Sequence, residues 1–158
     1  MPMIRIVSGT GTGPTELAAY DTALADAGIH NYNLITVSSM IPMGSRIEVL
    51  DSAPDLGPAG EKLTVVEACK TVEADATACA ALGWTLDDAD RGLFYEASGT
   101  DLEAVEEMVG TGLAAGRELR DWSFADERIA TAESDPTTDD GYTTALVAGI
   151  YGESEPIA

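Results

Sequence analysis

Positive charge is scarce in this sequence. Eight Lys plus Arg stand against 28 Asp plus Glu in 158 residues, a formal net charge of −20. A surface of that sign repels phosphate backbones, which excludes nucleic acid as a partner. Histidine occurs once, at His30, in the stretch after a helical pattern, and supports no Ser-His-Asp triad. The two cysteines, Cys69 and Cys79, are too few for a disulfide framework, and they lack His/Cys neighbours at metal-ligand spacing, so no metal site is expected. The two lysines, Lys62 and Lys70, sit in no motif that would hold pyridoxal. No apolar run reaches the roughly 18–20 residues that cross a bilayer, and Met1-Pro2-Met3-Ile4-Arg5 lacks the apolar stretch of a secretory signal. The expectation is one cytoplasmic domain over residues 1–158, away from membranes, with room for one sizeable core.

The acid excess is unevenly placed. Residues 1–46 hold three acids and two bases, a net of −1, whereas residues 47–158 hold 25 acids and six bases, a net of −19. With 45% hydrophobic residues the chain is not composed like a disordered one. Acid excess with lysine depletion points to an intracellular protein of a salt-loving, archaeal-type organism. There the Debye length falls to about 3 Å at 1 M salt and like charges are screened. This concerns habitat and solubility, not a reaction.

Strand and helix patterns alternate without a repeat or a linker. Met3 to Val7 is a β-branched run, stopped by Ser8-Gly9-Thr10-Gly11-Thr12-Gly13-Pro14, which reads as a tight strand-to-helix turn. Leu17, Tyr20, Leu24 and Ala27 recur at helical spacing, with Gly28 placed to end the helix. Strands are expected at Asn33–Ser38, Arg46–Leu50, Leu63–Val72, Ala76–Leu82, Gly92–Glu96, near Trp122–Ala132 and at Tyr142–Tyr151. Asp51 to Gly60 reads as an exposed excursion and Glu133 to Gly141 as a solvated turn. Thr100-Asp101-Leu102-Glu103 is a capping box with Thr100 as N-cap, opening a helix with a stripe of Leu102, Val105, Val109, Leu113 and Leu119. The pattern is α+β, with more strand than helix.

The glycine stretch is not a phosphate loop. It lacks Gly-Lys-Ser/Thr, and Pro14 stands where a dinucleotide fingerprint has its third glycine.

What remains is Val37-Ser38-Ser39-Met40-Ile41-Pro42. Alone, a Ser-Ser pair after a strand is a turn. Its context adds Asp21-x-Ala23-Leu24-x-x-Ala27-Gly28-Ile29-x-Asn31-x-Asn33-Leu34-Ile35 upstream, then Gly92-Leu93-Phe94-Tyr95-Glu96-x-x-Gly99 and Arg120-x-Trp122 downstream. Together these segments resemble the pyruvoyl-dependent arginine decarboxylase family.

The resemblance implies a four-layer αββα sandwich of largely antiparallel sheets. It also implies a trimer or a dimer of trimers, with active sites between subunits. It makes Ser38-Ser39 a self-cleavage site. Ser39 Oγ attacks the Ser38 carbonyl and turns the amide into an ester; β-elimination then frees the Ser38 carboxylate. The dehydroalanine left behind hydrolyses to a pyruvoyl group on residue 39. Residues 1–38 become a β chain and residues 39–158 an α chain. Serine supplies the β-oxygen leaving group, and a strained backbone between a strand end and Pro42 would favour the attack. The covalent pyruvoyl cofactor takes the electrons left by departing CO₂ from L-arginine, giving agmatine for polyamine synthesis.

By the same resemblance Asn33 holds the attacked carbonyl oxygen. Asp21 faces the substrate guanidinium. Glu96, read as ending an apolar strand on the same face as Phe94, donates the proton after CO₂ leaves, helped by burial that would keep it protonated. Two alternatives stay open: a pyruvoyl decarboxylase of another amino acid, and an uncleaved binding or assembly protein that kept the fold without the chemistry.

Overall fold

The computed structural model describes residues 2–73, 75–136 and 140–158. Among these, the elements in chain order are β1 (Met3–Gly13), α1 (Glu16–Ala27), β2 (Asn33–Thr36), β3 (Met40–Ile41), β4 (Arg46–Val49), β5 (Lys62–Glu73), β6 (Cys79–Leu86), β7 (Gly92–Gly99), α2 (Leu102–Glu118), β8 (Arg128–Glu133) and β9 (Tyr142–Tyr151). One sheet has the order β2-β5-β9-β1-β4 and the other β3-β7-β6-β8. The pairs β1–β4 and β2–β5 are parallel, and the remaining pairs are antiparallel. The α+β class and the sandwich of largely antiparallel sheets are as expected.

Burial explains the layering. β9 lies in the middle of its sheet and is apolar on both faces. Ala145 and Val147 point into a core between the sheets with Ile4, Val66, Leu82 and Phe94. Leu146, Ala148 and Ile150 point the other way, under Ala23 and Ala27 of α1. A third core joins Val105, Val109 and Leu113 of α2 to Ala81, Leu93 and Ala97 on the outer face of the second sheet. The stack is therefore helix, sheet, sheet, helix.

The glycine stretch departs from the expected turn. β1 continues through Gly13, and its alternate glycines share the face covered by α1. A Cβ would stand 2.2 Å from the Ala23 carbonyl oxygen at Gly9, 2.5 Å from Ala23 N at Gly11 and 2.6 Å from Ala19 N at Gly13. The period-2 glycines let the helix lie directly on the strand backbone.

Other boundaries moved for identifiable reasons. The N-cap of α2 is Asp101, not Thr100: its carboxylate accepts from the backbone N–H of Glu103 at 3.2 Å. Leu119 caps the far end and is 82% exposed, so it leaves the buried stripe. Ala-rich β6 is a strand despite its helical propensity because it is buried on both faces. Near Trp122–Ala132 the strand starts only at Arg128, and Phe124 makes an isolated bridge to Asp87. The excursion at residues 51–60 is pinned by buried Leu56, whose N–H donates to the Tyr32 hydroxyl. In the expected turn at Glu133 to Gly141, Glu133 still belongs to β8 and Ser134 is buried, with its hydroxyl accepting from Ala78 N at 2.8 Å; residues 137–139 lie outside the described residues. No helix of the described residues is long and apolar enough to cross a membrane.

Candidate active site

β2 closes one edge of the five-stranded sheet, and β3 closes one edge of the four-stranded sheet. Val37-Ser38-Ser39 carries the chain from one sheet to the other. On the first side Val37 N donates to the Val65 carbonyl at 2.9 Å. On the second side the Ser39 carbonyl accepts from Phe94 N at 2.7 Å, and the Met40 carbonyl accepts from Tyr151 Oη at 2.9 Å. The Ser38–Ser39 peptide is thus anchored at both ends by different sheets. Ser38 is exposed and Ser39 half-buried.

The expected backbone strain is not of the left-handed kind. Among the described residues Asp90 is the one non-glycine with positive φ, at 55°. Anchoring at both ends is what restricts the serine pair.

A cavity of about 850 Å³ opens beside Ser39, walled by Leu93 and Tyr95 of β7, by Met108 and Gly112 of α2, and by Leu119 and Arg120 beyond it. Two glycines set the closeness of the helix wall. A Cβ at Gly112 would stand 2.3 Å from the Tyr95 ring, and one at Gly116 would stand 2.5 Å from Leu93 Cδ1.

Glu96 sits inside β7, not at its end, because pairing with β6 runs on to Gly99. Strand alternation puts it on the face of Phe94, opposite Tyr95. Glu96 is exposed in the single chain rather than buried as expected. Partial desolvation by its surroundings pushes its carboxyl above the usual carboxylate range, partly offset by its own backbone N–H. The neighbouring Tyr151 hydroxyl is pushed up to about 12, first by burial and then by the negative charge on Glu96. Tyr151 also packs edge-on against Phe94, with ring centroids 6.2 Å apart. Tyr151 thus stands between the charge of Glu96, which it feels, and the Met40 carbonyl, to which it donates, one residue past Ser39.

Asn33 and Asp21 lie elsewhere in the single chain. Asn33 opens β2, where its Nδ2 donates to the Gly60 carbonyl at 2.7 Å. Four residues, Leu34 to Val37, separate it from Ser38, about 16 Å of extended chain. Asp21 is exposed on α1, the outer layer on the far side of the five-stranded sheet. Glu96 does not line the Ser39 cavity, since it faces away from Tyr95 and α2, and it approaches the serine segment only beside Tyr151; Asn33 and Asp21 lie elsewhere.

Sequence reasoning missed Tyr151. It closes an apolar strand, and its hydroxyl matters only because β9 ends where β3 begins. Arg120, whose Arg120-x-Trp122 context assigns it no role, lines the Ser39 cavity. Among the described residues no cluster of three His, Cys, Asp or Glu groups is placed to hold a metal ion.

A four-layer sandwich with a serine pair strung between its sheets, beside an open cavity, is the arrangement expected of a self-processing pyruvoyl enzyme. Residues 3–156 match the family described as pyruvoyl-dependent arginine decarboxylase. Pyruvoyl-dependent arginine decarboxylases of two Halobacterium salinarum strains are 48% identical over 99% of this chain and 98% of their own length. One from Pyrococcus furiosus is 38% identical over 81% of this chain and 82% of its own. The chain belongs to the pyruvoyl-dependent arginine decarboxylase family. The Halobacterium relatives also fit the salt-loving character read from the charge.

Proposed function

We propose that this chain cleaves itself between Ser38 and Ser39 and then decarboxylates L-arginine to agmatine and CO₂; its relatives are named as pyruvoyl-dependent arginine decarboxylases. The observation that carries this reading is the serine pair stretched between two sheets, with the Ser39 carbonyl already held by Phe94 N. A pyruvoyl group fits at residue 39. It is no larger than the serine it replaces, it keeps the carbonyl that Phe94 holds, and it borders the cavity. When formed, it supplies an electrophilic carbonyl that accepts the electrons left by CO₂.

The chain's own groups do the rest. Ser39 Oγ is the internal nucleophile and the leaving oxygen. Phe94 N–H and the Tyr151 hydroxyl fix the backbone on its C-terminal side, so the attack distance is set by the fold. Glu96, whose carboxyl is shifted upward by partial desolvation, supplies the proton for the carbon that loses CO₂. Asp21 and Asn33 act on the substrate guanidinium and on the attacked carbonyl. Within one chain both are remote from Ser39, so this reading includes a trimer or dimer of trimers with sites between subunits, in the cytoplasm.

The test is a denaturing gel with intact mass, followed by product analysis. The wild type should give two chains, residues 1–38 and 39–158, and Ser39→Ala one chain, because alanine has no leaving oxygen. Arginine, lysine and ornithine assayed side by side should yield agmatine far above cadaverine and putrescine. Equal cleavage of Ser39→Ala would sink the mechanism. A dominant product other than agmatine would move the substrate to another amino acid, and an uncleaved wild type would favour a binding protein.

A further inference from the structure

Arg120 follows α2 and reaches back over the Ser39 cavity. Its Nη1 donates to the Gly116 carbonyl at 2.7 Å and its Nη2 to Met40 Sδ at 3.5 Å. Met40 is the residue after Ser39, so the guanidinium stands at the serine end of the cavity. The indole of Trp122 backs it, 5.8 Å from ring centroid to guanidinium carbon. On the same indole Arg91 lies closer, at 4.1 Å, but its Nε is bonded to the buried Asp87 carboxylate. Arg120 has no such partner: among the described residues the ion pairs are Lys62–Glu155, Arg91–Asp87 and Arg117–Glu127.

That is unusual placement in a chain of 28 acids and eight bases. A guanidinium has five N–H donors in a planar fork shaped for a carboxylate, and Arg120 spends two of them on a carbonyl and a thioether. A half-buried cation with three donors left over, in the wall of the cavity that borders Ser39, is placed for an anion. Resting on the function proposed above, we infer that Arg120 is the carboxylate-binding residue of the Ser39 site. The reaction offers two such groups: the α-carboxylate of arginine, and the carboxylate freed on Ser38 by cleavage.

Both sources are tested on the processed two-chain protein, with Arg120→Gln and Arg120→Lys against the wild type. If the group is the substrate α-carboxylate, Arg120→Gln raises KM for arginine about ten- to a hundredfold. Agmatine, which has no carboxylate, binds by calorimetry within about twofold of wild type. If the group is the Ser38 carboxylate, arginine and agmatine are both unmoved. The ¹³C signal of the labelled Ser38 carboxyl, distinct from the amide carbonyls, then shifts in Arg120→Gln at neutral pH. Arg120→Lys, which keeps the charge and loses the fork, should fall between wild type and glutamine in whichever readout moves.

Equal weakening of arginine and agmatine would mark a packing role and overturn the proposal. So would no change in either affinity together with an unmoved ¹³C signal. If Arg120→Gln does not cleave, the lysine variant carries the same comparison; failure of both to cleave would assign Arg120 to processing and also overturn it. Failure of the underlying function would appear separately, as a wild type that is uncleaved or releases no agmatine.

Discussion

Tyr151, near the end of the chain, donates a 2.9 Å hydrogen bond to the carbonyl of Met40, one residue past Ser39. The contact couples the last strand of one sheet to the first residues of the other. Tyr151→Phe keeps the edge-on packing with Phe94 and removes only the donor. A net hydrogen bond of about 0.5–1.5 kcal/mol is lost, so self-cleavage should slow by about two- to tenfold and Tm should fall by about 1–6 °C. A cleavage time course by gel checks it; an unchanged rate would remove the hydroxyl from the anchoring of the serine pair.

Glu96→Gln separates processing from turnover. The acyl shift uses Ser39 and nearby backbone, so the variant should still give two chains and a full complement of pyruvoyl groups. Agmatine release per pyruvoyl group should fall about a hundredfold or more, the usual range of general acid catalysis. Loss of cleavage instead would place Glu96 one step earlier.

The direction of the Glu96 shift gives a pH signature. Because partial desolvation raises its pKa, the proton-donating form persists above the ordinary carboxylate range and is lost as pH rises through the raised value. Wild-type kcat should therefore decline on that alkaline side, and the residual activity of Glu96→Gln should lose this limb. For stability the sign is the same: the folded state binds this proton more tightly, so the contribution is full below the ordinary pKa and fades as pH climbs through the raised one.

Gly11→Ala tests the packing of α1 on β1. Its Cβ would stand 2.5 Å from Ala23 N, with strand and helix backbone unable to yield independently. Overpacking of this kind costs about 1–3 kcal/mol, which for a chain of this size lowers Tm by about 3–10 °C in a melting scan. A melt like that of wild type would mean that the helix can lift without loss.

The charge makes the last prediction. With −19 carried on residues 47–158, raising KCl from low to molar concentration should raise Tm, because screening removes repulsion within the folded chain. A Tm indifferent to salt would remove the halophile reading.

Much of this protein was legible in its sequence. The serine pair, the acid excess and the segments around Asp21, Asn33 and Glu96 led to the family, because chemistry of this kind requires particular residue types in a short local order. The α+β class followed from alternating patterns that each element carries by itself. What the sequence did not reveal depends on residues far apart in the chain. The odd-numbered glycines of β1 read as a turn because glycine breaks strands locally; only α1 lying on that face makes them strand residues. Glu96 passes from strand end to strand middle through its partner strand β6. Tyr151 and Arg120 reach the Ser39 neighbourhood over sequence separations of 111 and 80 residues from Met40, contacts that no local spacing encodes. Residue identity set which reaction is possible, and long-range packing decided which side chains stand beside it.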